Sequence, residues 1–252
     1  MARAAVQRRL TWLLARLTDS RPEGDRVRRL VFDVPGWTGH LPGQHVDVRL
    51  TAQDGYRTQR SYSIASPPEQ PGLHLLVEHL PGGEVSGYLT AEMQAGDALE
   101  LRGPIGGYFI WSADADRTTP AEQRRPVQLV GGGAGVSPLL AMLDHSRRAG
   151  SPTPVRLLYS ARTAGDVLGS DLLGTETTVT LTRGAPADWT GPTGRIDAAL
   201  LQERAFGPAE RPRIFVCGPT VFVETVATTL VELGHDPSSV RLERFGGAES
   251  PA

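Results

Sequence analysis

The chain reads as two unlike halves, a small antiparallel β-barrel followed by a five-stranded parallel α/β domain. Three observations carry that reading. Short apolar runs broken by Pro and Gly turns fill the stretch up to about residue 111. From residue 127 strand-like and helix-like patterns alternate instead. Between them lies SADADRTTPAEQRRP (112–126), a polar segment carrying Pro120 and Pro126, which is the expected linker. The expected division is therefore a tail over 1–10, a barrel over 11–111, the linker over 112–126, an α/β domain over 127–247 and a tail over 248–252.

In the first half, residues 27–33, 45–50 and 73–78 alternate or cluster apolar side chains over strand lengths. Pro35-Gly36, Leu41-Pro42-Gly43, Asp54-Gly55 and Pro81-Gly82-Gly83 supply turn chemistry between them. Several short strands at this spacing predict a small barrel. In the second half strands are predicted at 127–130, 155–159, 179–182, 213–216 and 240–243. Helices are predicted at 138–148, near 197–204, and at 220–233, the last closed by Gly234. That alternation predicts a parallel sheet with helices on both faces. At the N-terminus Val6, Leu10, Leu13, Leu14 and Leu17 follow helical spacing. No run approaches the roughly 20 apolar residues of a membrane span, so a cytoplasmic protein is expected.

Composition narrows the chemistry. With 252 residues, 39% of them apolar and 21% charged, the chain can bury a sizeable core. A net charge of −2 gives no single-sign field that would favour nucleic acid. All 26 basic residues are arginine, which removes Schiff-base chemistry and the lysine of a P-loop. The single cysteine, Cys217, rules out a disulfide framework, a cysteine zinc site and a cysteine-ligated iron–sulfur cluster in this chain. Redox chemistry would need an organic cofactor or a histidine-bound metal. The six histidines form no ligand spacing, so no metal site is expected.

Two loops carry the nucleotide signal. Val130-Gly131-Gly132-Gly133-Ala134-Gly135-Val136-Ser137-Pro138 lies between a predicted strand and helix. Its glycines let backbone approach a pyrophosphate, and Ser137 as cap with Pro138 in the first turn would leave N–H groups free for an anion. Val136 stands where a third fingerprint glycine would fall, so the motif is not G-x-G-x-x-G. Val216-Cys217-Gly218-Pro219 also ends a strand before a helix. In an open α/β sheet of strand order 3-2-1-4-5 these two loops are neighbours at the switch point, where ligands bind. In the barrel half, Arg60-Ser61-Tyr62-Ser63 offers a guanidinium, a flat aromatic surface and a hydroxyl. Gly83-Glu84-Val85-Ser86 precedes a short helical stretch at 87–93 that Ser86 is expected to cap.

Together with Glu243-Arg244-Phe245-Gly246, these motifs resemble, in order and spacing, the ferredoxin–NADP⁺ reductase superfamily, and most closely the reductase modules of bacterial oxygenases. The resemblance implies that the barrel binds FAD. Arg60 would hold its pyrophosphate, Tyr62 would pack on the isoalloxazine beside Ser61, and Ser63 would lie near N5. Leu76, Val77 and Glu78 would meet the flavin by backbone, and Gly83, Val85 and Ser86 would cradle the pyrophosphate. Gly132, Gly133, Val136, Ser137 and Pro138 would form the pyrophosphate loop of the pyridine nucleotide. Cys217, Gly218 and Pro219 would lie beside the nicotinamide, with Glu243 and Phe245 on the C-terminal strand by the flavin. Ser63, Cys217 and Glu243 are the expected catalytic side chains. The resemblance also puts the first barrel strand at 11–18, against the helical spacing noted above.

Electron donor and acceptor follow from what surrounds these motifs. Ser160 and Arg162 after the second α/β strand, with Arg183 after the next, favour NADPH as donor, with NADH as the alternative. A hydride passes when the nicotinamide C4 lies about 3–3.5 Å from the flavin N5, so orientation supplies most of the rate. The expected function is an FAD-dependent NAD(P)H oxidoreductase passing electrons to a separate redox protein. A diaphorase or flavin reductase, or a non-catalytic nucleotide-binding subunit, is the alternative. The sequence is compatible with a monomer. Arginines at 26, 28, 29, 124, 125, 147 and 148 are candidates for docking an acidic acceptor.

Overall fold

The computed structural model of the chain describes residues 10–245. Almost all of the expected N-terminal tail, the expected C-terminal tail and Gly246 lie outside the described residues. Six strands form the first sheet: β1 (Leu13–Glu23), β2 (Val27–Asp33), β3 (His45–Thr51), β4 (Arg57–Ser63), β5 (Leu73–Glu78) and β6 (Ala98–Ile105). They run in the order β4-β3-β6-β1-β2-β5 with antiparallel neighbours, and a bridge from Ile64 to Leu75 brings β4 round to β5. Ala15, Leu17, Leu30, Phe32, Val46, Val48, Leu75, Val77 and Leu101 fill the interior, one residue in two along each strand.

The helical spacing at the N-terminus is overruled. Leu13, Leu14 and Leu17 belong to β1, which pairs with β2 on one side and β6 on the other. Burial there has period two: Ala15 and Leu17 point inward while Leu14 is 60% exposed. Backbone partners on both sides and a flat apolar face beneath outweigh a weak local periodicity. Val6 lies outside the described residues.

The second sheet holds β7 (Val127–Gly132), β8 (Val155–Ala161), β9 (Thr177–Leu181), β10 (Arg213–Pro219) and β11 (Val240–Phe245), all parallel. Their order is β11-β10-β7-β8-β9, which is the expected 3-2-1-4-5 arrangement. Helix α3 (Ser137–Arg148) covers one face, packing Leu139, Leu140 and Leu143 on Leu129, Leu157 and Phe215. Helices α4 (Ala198–Arg204) and α5 (Thr220–Glu232) cover the other, placing Leu201, Val223, Val226 and Leu230 on Val130, Leu158, Ile214 and Val216. Both faces of the central strands are buried, which is why they read as near-continuous apolar runs, broken by Gln128 in β7 and Arg156 in β8.

Two helix starts differ from expectation. The chain enters helix α1 (Glu84–Gly87) before Ser86 and continues as a π-turn over Tyr88–Glu92. Ser86 therefore sits inside the helix and caps nothing; its hydroxyl donates back to the Gly83 carbonyl at 3.3 Å. Residues Gly133–Val136 coil into a 3₁₀ turn, so α3 begins at Ser137 itself, whose hydroxyl donates to the Ala134 carbonyl at 2.7 Å. In both places a glycine turn lets the backbone coil early and draws the serine back onto the preceding turn.

Residues 112–126 hold a short helix, α2 (Ala113–Arg117), and one buried carboxylate. Asp116 Oδ2 accepts from Trp111 Nε1 (3.1 Å), Thr153 Oγ1 (2.9 Å) and Arg213 Nη2 (2.5 Å). Burial alone would raise its pKa, but these donors, Arg213 first, hold it below the usual carboxylate range. His145 Nε2 accepts from the Ala113 N–H at 3.1 Å, so its proton sits on Nδ1, which donates to Glu69 Oε1 at 2.7 Å. Replacing Asp116 with Ala takes the carboxylate from half-buried Arg213 and the acceptor from Trp111 and Thr153, and is expected to cost about 3 kcal/mol by chemical denaturation. The wild type gains stability from Asp116 above the unfolded pKa and loses it as pH falls through the lower folded value. Asp116→Ala therefore flattens that acid limb, and equal acid limbs in both proteins would refute the assignment.

Candidate functional site

The barrel contributes β4 and β5 to the site. Arg60 is exposed on β4, and its guanidinium donates to the Gln59 carbonyl at 2.8 Å. Ser61 donates to Asp47 Oδ1 at 2.7 Å, so its side chain turns toward β3. Tyr62 is half-buried, and burial pushes its phenol up to about 12, keeping it neutral. Ser63, at the end of β4, has a buried hydroxyl with no hydrogen-bond partner in the protein. A buried hydroxyl left unbonded costs free energy, so a heteroatom edge of a ligand at this end of β4 fits it. On β5, Leu76 and Val77 are buried and Glu78 is half-buried, and β5 abuts the turn Gly133–Val136 of the other domain.

The α/β domain brings its two loops together as the strand order requires. A Cβ built on Gly135 would stand 2.5 Å from Gly218 Cα and 2.8 Å from the Cys217 carbonyl, so only glycine lets these loops touch. Gly133 has φ +55°, with nothing within 4 Å of its outward face, so its backbone is open to a pyrophosphate. Val136, Ser137 and Pro138 are buried in the first turns beyond it. Ser160 lies inside β8, one residue before its end, Arg162 follows that strand, and Arg183, after β9, is exposed and donates its N–H to the Arg162 carbonyl at 2.8 Å.

The parallel pairing of β10 with β11 sets Cys217 opposite Glu243. Cys217 is fully buried, and its Sγ lies 4.0 Å from Glu243 Oε2. Burial, with Glu243 adding to it, pushes the thiol well up. Burial also raises the Glu243 carboxyl to about 7. Below neutral pH this pair is therefore uncharged. Phe245, on the same strand, packs against the cluster that holds Cys217, Val136 and Leu76. Leu76 of β5 and the loop residues Val136 and Cys217 thus share one apolar core.

Sequence reasoning missed two parts of this region. Phe222, in the first turn of α5, lies across Gly132 and Gly218, where a Cβ on either would come within 2.8 Å of its ring. An aromatic one turn into the helix after Cys217-Gly218-Pro219 is the signal that was available, because helical side chains lean back toward the N-terminus. The second part is the set of partners of Glu78 and Arg162, which are bonded to each other at 3.2 Å across the domain boundary. The arginines expected to offer a docking face are occupied. Arg28 bonds Ser20, Arg29 pairs with Glu23, Arg124 and Arg125 donate to backbone carbonyls, Arg147 pairs with Glu176 and Arg148 with Asp144. Among the described residues no group of three His, Cys, Asp or Glu side chains is placed to hold a metal ion.

The same two halves emerge from comparison with known proteins. The oxidoreductase FAD-binding domain matches residues 15–110 and the oxidoreductase NAD-binding domain residues 129–228. Ferredoxin–NADP reductase B of Sorangium cellulosum is 33% identical over 249 residues, covering 92% of this chain and 96% of the relative. The glycine betaine monooxygenase reductase subunit of Chromohalobacter salexigens is 31% identical over 233 residues, which is 87% of this chain. The toluate 1,2-dioxygenase electron transfer component of Pseudomonas putida is 27% identical over 216 residues, 82% of this chain. This chain spans 60% and 59% of the length of those two relatives. A ferredoxin NADP⁺ reductase from Neisseria gonorrhoeae, solved with FAD and NADP bound, superposes with a TM-score of 0.77 at 19% identity, over 94% of this chain and 99% of that one. Matched through both halves and aligned with nearly the whole of one relative, the chain belongs to the ferredoxin–NADP reductase family of FAD- and NAD(P)-binding oxidoreductases.

Proposed function

We propose that this chain oxidises NADPH or NADH through bound FAD and delivers the electrons to a separate redox protein in the cytoplasm. The observation that carries the reading is the common core of Leu76, Val136 and Cys217, which sets the flavin strand against the nucleotide loops. When bound, the flavin accepts two electrons as hydride and can release them singly. The division of labour follows the domains: residues 11–111 hold FAD, 112–126 connect, and 127–247 hold the pyridine nucleotide. Arg60 neutralises the flavin pyrophosphate, Tyr62 supplies an uncharged face, and the Ser63 hydroxyl donates to the ring edge. Backbone N–H groups at the head of the turn, around Gly133, take the second pyrophosphate. Cys217 Sγ and Glu243 form an uncharged wall that excludes water, and Glu243 Oε2 can hold a proton up to pH about 7. Relatives named as oxygenase reductase components support a protein acceptor.

One observation favours a second reading, a diaphorase or flavin reductase with a small acceptor. Of the arginines expected to dock an acidic acceptor, Arg29, Arg147 and Arg148 are paired with carboxylates of the chain, which reduces the net positive charge they offer. Salt separates the two, because docking of a charged protein weakens as ionic strength rises and reduction of a small neutral acceptor does not.

The decisive test is the visible spectrum of the pure protein during anaerobic addition of NADPH, then NADH. A flavin band that bleaches supports the reading; a colourless protein that cannot be reconstituted with FAD overturns it. Arg60→Ala is expected to lose most of its FAD on gel filtration, and full retention would remove the role given to Arg60. Cys217→Ser is expected to keep FAD and to slow flavin reduction about tenfold or more in stopped flow, since misplacement at the reacting centre is costly. Glu243 has a folded pKa above its unfolded value, so its contribution to stability is complete below about 4.5 and lost as pH rises through about 7. Glu243→Gln removes this slope, changing the difference between pH 4.5 and 8 by at most about 3 kcal/mol in denaturation curves.

A further inference from the structure

Arg26 and Glu78 of the barrel and Arg162 and Asp166 of the α/β domain form a closed ring of alternating charge. Arg26 Nη2 lies 3.4 Å from Glu78 Oε1 and 3.2 Å from Asp166 Oδ1. Arg162 Nη2 lies 3.2 Å from the same Glu78 oxygen and 3.4 Å from the same Asp166 oxygen. Each nitrogen therefore bridges carboxylates of both domains. Asp166 is fixed from behind, because its other oxygen accepts from the Thr163 N–H at 3.2 Å and hydroxyl at 2.9 Å. The ring lines a cavity of about 20 Å³ together with Gly133 and Ala134 of the pyrophosphate loop.

The backbone around the ring leaves no room to slide. The Asp25 N–H donates to the Gly165 carbonyl at 2.9 Å, and the Gly169 N–H to Glu23 Oε1 at 2.8 Å. A Cβ on Gly24 would stand 2.5 Å from the Gly165 carbonyl oxygen, and one on Gly165 would stand 2.4 Å from the Asp25 carboxylate. The turn between β1 and β2 is thus docked, backbone to backbone, on residues 163–169.

We propose that the four-charge ring is the clamp that fixes the spacing of the two cofactor-holding halves. In this assignment Arg162 is a positioning residue and not a ligand for the 2′-phosphate of the nucleotide. The proposal rests on the oxidoreductase reading above. Glu78 ends the strand that carries Leu76 and Val77, and Arg162 directly follows the strand that leads to the nucleotide, so their bond joins the two binding surfaces end to end. Drawing Arg162 away to a phosphate would leave Glu78 and Asp166 with Arg26 alone between them. Arg183, exposed and one strand further out, can meet a phosphate without breaking the ring. Hydride transfer is steep in distance, and a misplacement of about 1 Å can cost about a hundredfold, so a clamp at this point acts on rate more than on affinity.

The test uses the full chain with FAD bound, as wild type, Arg162→Gln and Glu78→Gln. Amide hydrogen exchange at Asp25 and Gly169 is expected to quicken about tenfold or more in both variants, since the docked turn opens more often. The limiting rate of flavin reduction at saturating nucleotide is expected to fall about tenfold, equally with NADPH and NADH, while nucleotide dissociation constants and FAD content change by less than about twofold. An Arg162→Gln effect confined to NADPH affinity would make Arg162 a phosphate ligand and overturn the proposal. Exchange and limiting rates unchanged in both variants would overturn it as well. A wild-type flavin that neither nucleotide reduces would refute the oxidoreductase reading instead, and the exchange measurement would still judge the clamp.

Discussion

Val27 and Leu76 of the barrel lie in the same apolar cluster as Leu139, Met142, Phe215 and Cys217 of the α/β domain. Neither half closes its own interior on this side; each is completed by the other. Parting the two sheets would wet side chains that are now dry, a cost that grows with the apolar area exposed. Every polar contact across the boundary depends on this one, because the Asp116 hub, the His145–Glu69 bond and the ring of charges need the two halves already in register. A shared core gives proximity without direction. The hydrogen bonds around it supply the direction.

That division lets groups of unlike character serve the two ends of one parallel sheet. At the Cys217–Glu243 pair burial outweighs charge, so a carboxyl is kept protonated to near-neutral pH. At Asp116 the opposite holds, because three donors outweigh burial. Asp116 bonds Arg213 at the start of β10 and Glu243 faces Cys217 near its end, and the two carboxyls differ in whether a cation is within reach. The first environment suits a dry wall beside reacting groups, the second a permanent joint.

Much of the architecture was legible because it is written in local pattern. The parallel strands announce themselves as apolar runs, and the two glycine-bearing loops become neighbours once the strand order is 3-2-1-4-5. Local pattern failed where neighbours decide. Leu10, Leu13, Leu14 and Leu17 have helical spacing, yet β2 and β6 offer backbone partners that no helix there would gain. Ser86 and Ser137 have capping chemistry, yet glycines ahead of them let the helix start early. Residues 26, 78, 162 and 166 are far apart in sequence and individually ordinary, so nothing in their spacing announces a ring. The arginine-rich stretches read as free charge although Asp144 stands one helical turn before Arg148; the partner of Arg147, Glu176, lies 29 residues away.

The burial of Cys217 has a practical side. It is the chain's one thiol, fully enclosed at the seam between two sheets, and its proton is held tightly. Alkylating agents attack thiolates, so in the closed molecule this sulfur is chemically silent. Its labelling rate is then a clock for how often the seam opens, read without adding any probe, and with no other cysteine to confuse the signal.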